Sequence, residues 1–377
     1  MTASAESMRI VHIDAETGFS GGEVQVFLLI DGLEALGQRN VLVCPPRSGA
    51  EQEAKRRRIE TTPVRMRNDV DLPAVVALTR EMRRRRPDVV HLHTGRATWL
   101  GGLAAWLAGI PAVTTRRMDR RVNPGWRTRL IYERLTRRVA AISPAVADCL
   151  VEGGVRAERI CVISDAVDPQ RLQPSAHRNA VRVALGAGPN DSVVLALAAL
   201  IPRKGLDVLL DALVRLGGQG LRPVAWIAGE GPERGRLEDQ SSRLGLRGQV
   251  QFLGKRADVA DLLGACDLFV IPSRREGMGV AALEAMAAGR AVVASEVGGL
   301  REAIADGHTG LLVPAGDAAA LAQAVAKLLG DGGLRERMGT AGAERVQQKF
   351  LPGQMVAAYV DLYRTVLEEA KGGRRVQ

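Results

Sequence analysis

The chain has 377 residues, 46% hydrophobic and 3% aromatic, with 52 lysines and arginines against 42 acidic residues for a net charge of +10. That length suits two domains rather than one small core, and the hydrophobic content excludes global disorder. The scarcity of aromatics argues against a base-stacking nucleic-acid platform. The charge is uneven: residues 1–180 hold 28 basic and 20 acidic side chains, leaving 24 and 22 for the rest. The first half therefore looks adapted to something anionic. Cys44, Cys149, Cys161 and Cys266 show no paired spacing, which reads as buried thiols in a reduced, cytoplasmic compartment. The opening MTASAESMRIVHID carries no signal-peptide pattern. The most apolar long window, Trp99 to Thr115, is broken by glycines and Pro111 and is too weak for a membrane span.

In chain order, strand candidates fall at 9–13, 40–44, 89–93, 112–115, 139–143 and 161–164, then at 192–200, 223–229, 250–254, 268–273, 291–295 and 310–314. Helical periodicity separates them, as at Val24–Leu36, Val75–Arg86, Leu206–Leu216, Ala257–Leu263 and Ala318–Leu329. Two runs of β-α alternation imply an α/β protein of two doubly wound parallel-sheet domains. The expected division is 1–175, 176–352 and a last helix, 353–377, packing back on the first domain. Ligands are expected in the cleft facing the carboxyl ends of the strands.

Several segments carry candidate chemistry. Gly21 and Gly22 open a helix after the first strand, an arrangement that favours anions and is equally an ordinary helix start. Asp69 and Asp71 form a literal D-x-D, but no apolar strand precedes them, so they read as turn or cap residues. His91 and His93 alternate on one strand and share a face. A metal would need a third ligand that the spacing does not supply. The segment 111–140 holds nine arginines and two acids, with Trp126 and Tyr132 interleaved. It fits anionic lipid head groups or a phosphorylated glycan. Nucleic acid fits the charge but lacks a recognition motif. Gly229, Gly231 and Gly235 follow a strand in a weak variant of the dinucleotide fingerprint, or simply make a tight turn.

The stretch EGMGVAALEAMAAG (276–289) joins a strand end to a helix start. Glycines permit close approach to backbone, the helix start offers free N–H groups, and Glu276 and Glu284 can accept from hydroxyl-rich ligands. Taken alone it is a helix cap with a solvated glutamate.

Its neighbours change that reading. ALIPRKGLDVLLDAL (199–213), VQFLGKRADVADLLGACDLFVIPS (250–273) and AAGRAVVASEVGGLREAIADGHTGLLVPAGD (287–317) follow one another in an order that resembles retaining glycosyltransferases of family 4. The resemblance is strong over about 190–345 and looser before. It implies the GT-B fold, with Glu276 meeting the donor sugar, Gly277, Met278 and Gly279 holding sugar and phosphate oxygens, and Glu284 binding the ribose. It also implies Lys204 on the diphosphate, Gly229, Gly231 and Gly254 on the donor side, and Gly21 and Gly22 approaching donor phosphates. A lysine there can stabilise a leaving diphosphate.

The chain departs from the family pattern twice. Ala198-Ala199 stands where the family has Gly-Arg, so Arg203 either supplements Lys204 on the phosphates or is a solvated charge. Thr115-Arg116 stands where relatives carry a histidine, leaving His93 and Arg116 as acceptor-side candidates. The expected function is metal-independent, configuration-retaining transfer from a nucleotide diphosphate sugar to a glycan or glycolipid hydroxyl. The acceptor is of lipopolysaccharide-core or other cell-envelope type, and the enzyme sits at the inner face of the cytoplasmic membrane. Two other readings are a sugar-nucleotide epimerase of the same fold and a non-catalytic basic protein that binds glycans or polyanions.

Overall fold

Each apolar run of the sequence becomes a parallel strand, because helices of the intervening length can carry the chain back over the sheet only by right-handed crossovers. The computed structural model describes residues 7–374. It comprises two units, Met1–Ala166 with Pro352–Gln377, and Val167–Leu351. The boundary falls before the expected 175/176, since a short 3-10 turn at Pro169–Leu172 already packs against unit 2 helices.

Unit 1 runs β1 (Arg9–Ile13), α1 (Gly21–Ala35), β2 (Arg39–Cys44), α2 (Gly49–Arg57), β3 (Thr61–Pro63), α3 (Leu72–Arg85), β4 (Val89–Leu92) and α4 (Gly95–Ala108). It continues with β5 (Ala112–Arg116), α5 (Trp126–Arg129) leading into a π-helical turn at Leu130–Leu135, β6 (Arg138–Ala141), α6 (Pro144–Glu152) and β7 (Ile160–Val162). Unit 2 runs α7 (Arg178–Ala184), β8 (Val193–Leu197), α8 (Leu206–Gly218), β9 (Val224–Ala228), α9 (Arg234–Arg243), β10 (Val250–Gly254) and α10 (Val259–Ala265). Then follow β11 (Leu268–Ile271), α11 (Val280–Ala287), β12 (Val292–Ser295), α12 (Leu300–Ala303), β13 (Gly310–Val313), α13 (Ala318–Gly330) and α14 (Gly332–Lys349). The last helix, α15 (Pro352–Arg374), belongs to unit 1 and packs along α1.

The strand orders are β3-β2-β1-β4-β5-β6-β7 and β10-β9-β8-β11-β12-β13. Both sheets are Rossmann-like, and both reverse direction of growth at one place: between β1 and β4, and between β8 and β11. Loops leaving the carboxyl ends of strands at such points diverge and leave room for a ligand. The edge strand β3 has only three residues and escapes periodicity analysis.

Alternation along the strands sets both faces of the unit 1 sheet. Val11, Ile13, Val90 and Leu92 point to a core shared with α3 and α4. Ile10, Val89 and Val113 point to a core shared with α1 and α15. His12, His91, His93 and Thr115 share the parity of this second set and so face α15. Tyr359 and Tyr363 of α15 are buried there, and Arg138 pairs with Glu369 to hold its far end.

Candidate functional site

In unit 2 the switch point brings together the loop after β8 and the loop after β11. Gly205 adopts φ +63°, and a Cβ there would lie 2.0 Å from the Pro272 carbonyl oxygen. Only glycine lets the two loops touch in this way. Arg274 braces them further. Its backbone N–H donates to the Arg203 carbonyl, and its guanidinium grips Asp207 bidentately at 2.7 and 2.6 Å while reaching the Pro202 carbonyl.

That brace fixes Lys204 against Glu276. The Lys204 Nζ donates to both carboxylate oxygens of Glu276, at 2.6 and 2.8 Å, and Arg203 Nη1 adds a contact at 3.3 Å. Lys204 and Glu276 are largely buried, whereas Arg203 is exposed. Met278 is buried, and Gly279 takes φ +81° as it enters α11 with no side-chain cap. A Cβ on Gly279 would meet Leu300 at 2.5 Å. The Glu276 carbonyl accepts from Gly299, so the Gly277–Gly279 loop rests on the 297–300 turn.

Glu284 lies in the second turn of α11, half-buried, and its side chain has no hydrogen bond or ion pair among the described residues. Burial pushes its carboxyl up to about 7. Ser273 Oγ, at the end of the strand leading into this loop, is buried and equally without a partner. A buried hydroxyl without a partner and a carboxyl that the protein does not pair suit a ligand that brings its own hydrogen-bonding groups.

The other glycines divide by cause. A Cβ at Gly229 or Gly231 would strike the carbonyl oxygens of Ala198 and Leu200, at 1.8 and 2.3 Å. Both are therefore required by packing against the loop after β8, where Ala198-Ala199 runs close beneath them. Gly254 takes φ +68° at a register shift in β10, and its carbonyl accepts from Gly229. Gly21, by contrast, would meet nothing, and Gly22 only ordinary contacts with Ser20 and Arg117. The start of α1 is closed by a capping box of Ser20 and Glu23.

Unit 1 corrects the expectation for the histidines. The spacing of His91 and His93 offered no third partner, but the sheet places His12 beside them on β1. All three rings are buried, and ring nitrogens from the three lie within 4.8 Å of one another. Asn40 Nδ2 donates to the Gln38 carbonyl, so its Oδ1 accepts from His12 Nε2 at 3.1 Å. His12 Nδ1 then accepts from His93 Nε2 at 3.0 Å. His91 joins Tyr363 and Thr115, both at 2.7 Å, and Thr115 joins Tyr359 at 2.8 Å. Hydrogen bonds thus occupy five of the six ring nitrogens, leaving only His93 Nδ1 without a partner. Burial lowers His12 to about 4 and holds His91 and His93 well below the ordinary histidine range. The His93 ring thus lies in the interior of unit 1. Arg116 folds back on its own loop, donating to the Arg120 carbonyl at 2.5 Å.

Arg117, which sequence reasoning passed over, is the more telling arginine. It is nearly buried beside Gly22, donates to the His93 carbonyl and sits 3.5 Å from Asp165. Asp14, at the carboxyl end of β1, is buried, and burial raises it to about 7. The D-x-D is structural: Asp71 caps α3, and Asp69 pairs with Arg127 at 2.7 Å.

Two Rossmann-like sheets of parallel strands define an α/β protein of GT-B architecture. Residues 19–171 match the model of Glycosyltransferase Family 4 and residues 177–345 that of Glycosyl transferases group 1. A D-inositol 3-phosphate glycosyltransferase of Streptomyces bingchenggensis is 32% identical over 321 residues, 77% of this chain and 68% of that protein. The lipopolysaccharide core biosynthesis glycosyltransferase LpsE of Rhizobium meliloti is 32% identical over 235 residues, 62% of this chain and 66% of that one. The crystal structure of Anabaena Alr3699/HepE in complex with UDP-glucose superposes with a TM-score of 0.85 at 25% identity, covering 95% of this chain and all of that one. The chain belongs to the glycosyltransferase group 1 and family 4 enzymes, and it is a glycosyltransferase.

Proposed function

We propose that this enzyme moves a sugar from a UDP-sugar to a hydroxyl of an anionic envelope glycan or glycolipid, with retention of anomeric configuration and without a metal. The observation that carries the reading is the Lys204–Glu276–Arg203 cluster, braced by Arg274. Uridine is favoured by the HepE complex with UDP-glucose, and an anionic acceptor by relatives named for lipopolysaccharide core and inositol phosphate.

Lys204 and Glu276 pair with one another. A nucleotide sugar exchanges that pair for two better matches: its diphosphate takes Lys204, and its sugar hydroxyls donate to Glu276. Both side chains are already held in place, so little ordering remains on binding. Lys204 then stabilises the charge that builds on the leaving diphosphate. Glu276, accepting from the sugar hydroxyls, serves as a binding group rather than a nucleophile, which favours front-face substitution over a covalent intermediate. In that route the departing diphosphate oxygen takes the acceptor proton. Glu284, kept in α11 without a protein partner, receives the ribose hydroxyls.

Thermal unfolding against UDP, GDP, ADP, TDP and CDP tests the donor site. UDP should stabilise the wild type by about 2–3 kcal/mol at a hundredfold excess over its dissociation constant. Glu284→Ala should lose that gain. No shift with any nucleotide overturns the reading. Consumption of a UDP-sugar with no acceptor and no free UDP would instead identify an epimerase.

A further inference from the structure

The third histidine turns a pair that lacked a partner into a set of three. His12 comes from β1, His91 from β4 and His93 from the residue after it, and all three rings are buried. They present ring nitrogens within 4.8 Å of one another, and His12 Nδ1 and His93 Nε2 are 3.0 Å apart. Three imidazoles on one zinc-sized ion, each about 2.0–2.1 Å from it, set their nitrogens about 3.4 Å apart. Small ring rotations on this rigid sheet reach that spacing.

The rings are also held as ligating histidines are. Such an imidazole donates its far N–H to a fixed oxygen, which sets the tautomer and aims the other lone pair at the ion. His12 donates from Nε2 to Asn40 Oδ1, and Asn40 is itself fixed on the Gln38 carbonyl. The His12 Nδ1 lone pair therefore points at His93. His91 meets Tyr363 through Nδ1 and Thr115 through Nε2. Thr115 also bonds Tyr359, so it keeps a partner when His91 Nε2 turns to an ion. His93 is the least committed ring. Its Nδ1 is buried with no partner, and an orphaned buried atom of this kind calls for an ion or a water. An ion therefore replaces two hydrogen bonds, His12–His93 and His91–Thr115. Burial keeps the three rings uncharged at neutral pH, so protons do not compete for their lone pairs.

We propose that His12, His91 and His93 bind a divalent transition-metal ion, zinc or a close neighbour, in the core of unit 1. Imidazole nitrogens suit zinc, copper and nickel, whereas magnesium and calcium require oxygen ligands. Arg117, which donates to the His93 carbonyl, is the cation closest to the set, and Asp165 lies 3.5 Å from it as counter-charge. The ion ties β1 to β4 beneath α15. Its role is structural, and it takes no part in the transfer proposed above, whose Lys204 and Glu276 lie in unit 2.

The test is elemental analysis of the full chain, without a histidine tag, after equilibration with zinc chloride and gel filtration. Wild type should retain zinc in equimolar amount. Cobalt(II) in its place should show visible d–d bands without a thiolate charge-transfer band. His12→Gln and His93→Gln should each bind zinc about a hundredfold or more weakly, and Asn40→Ala, which removes only the group that orients His12, about tenfold. His177→Gln/His308→Gln, at the two exposed histidines outside the set, should bind as wild type. Zinc should raise the thermal midpoint of wild type and not that of His12→Gln, and magnesium should raise neither. The proposal is overturned if wild type retains no zinc, if the cobalt spectrum places the ion on cysteine, or if the His12 and His93 variants retain as much zinc as wild type. Wild-type metal content and the cobalt spectrum decide the matter even where a histidine variant fails to fold.

Discussion

The two units share a sheet topology and treat polar side chains at the switch point in opposite ways. In unit 1 the polar groups between β1 and β4 are buried histidines, joined in a network with Thr115, Tyr359 and Tyr363 in which one ring nitrogen, His93 Nδ1, lacks a partner. In unit 2 the groups between β8 and β11 include the charged pair Lys204 and Glu276, and the buried Ser273 hydroxyl there has no partner. A buried polar network that is paired at nearly every atom fixes a fold. A cluster that lacks partners is held ready for something that supplies them. The same architecture thus shows a structural and a binding use of the same position.

The sharpest way to break this contrast is Lys204→Ala. Turnover should fall by about 10²–10³-fold, the size of loss seen when one preorganised charge-stabilising group is removed. Near wild-type turnover in a steady-state assay would remove Lys204 from the machinery. His91→Ala should do the reverse, lowering stability by about 2–4 kcal/mol in a denaturant titration, because it opens a cavity and leaves Tyr363 and Thr115 unpaired. A loss below the error of the titration would show that the network is not structural.

The pH response separates the units further. His12 has its folded value lowered to about 4, so the unfolded chain binds the proton more readily. Its contribution to stability is whole above about 6.5 and is lost as the pH falls through 4, up to about 3 kcal/mol. His12→Gln should flatten that acid limb of a stability-against-pH curve, and an unchanged slope would contradict the burial argument. Glu284 has the opposite sign. Its folded value is raised to about 7, so ionising it costs stability as the pH rises from about 4.5 to 7. Glu284→Gln should therefore stabilise the ligand-free protein by up to about 2 kcal/mol at pH 8 and not at all near pH 4. The gain should come with loss of the UDP-induced shift.

Much of the fold was legible from local pattern. Strand alternation and helical periodicity marked twelve of the thirteen strands, and the exception, β3, is too short to show a period. The approach of Lys204 to Glu276 was not legible, although both residues were named. Nothing in the spacing of 204 and 276 says that Gly205 will lie on the Pro272 carbonyl. Gly229 and Gly231 were read as donor-side residues, and the fold assigns them a packing reason through Ala198 and Leu200. The third histidine was missed because His12 and His91 lie in different strands and meet only through the parallel register of β1 with β4.

The sequence by itself determined what is periodic or local: the two runs of β-α units, the helix caps, the uneven charge, and the order of motifs that marks the family. Only the tertiary structure decided which distant side chains meet. That choice depends on strand order and on close backbone approach, which a linear pattern does not encode. The histidines went to the interior because strand parity turned them toward α15. The glutamates stayed at the rim because α11 begins where the sheet ends.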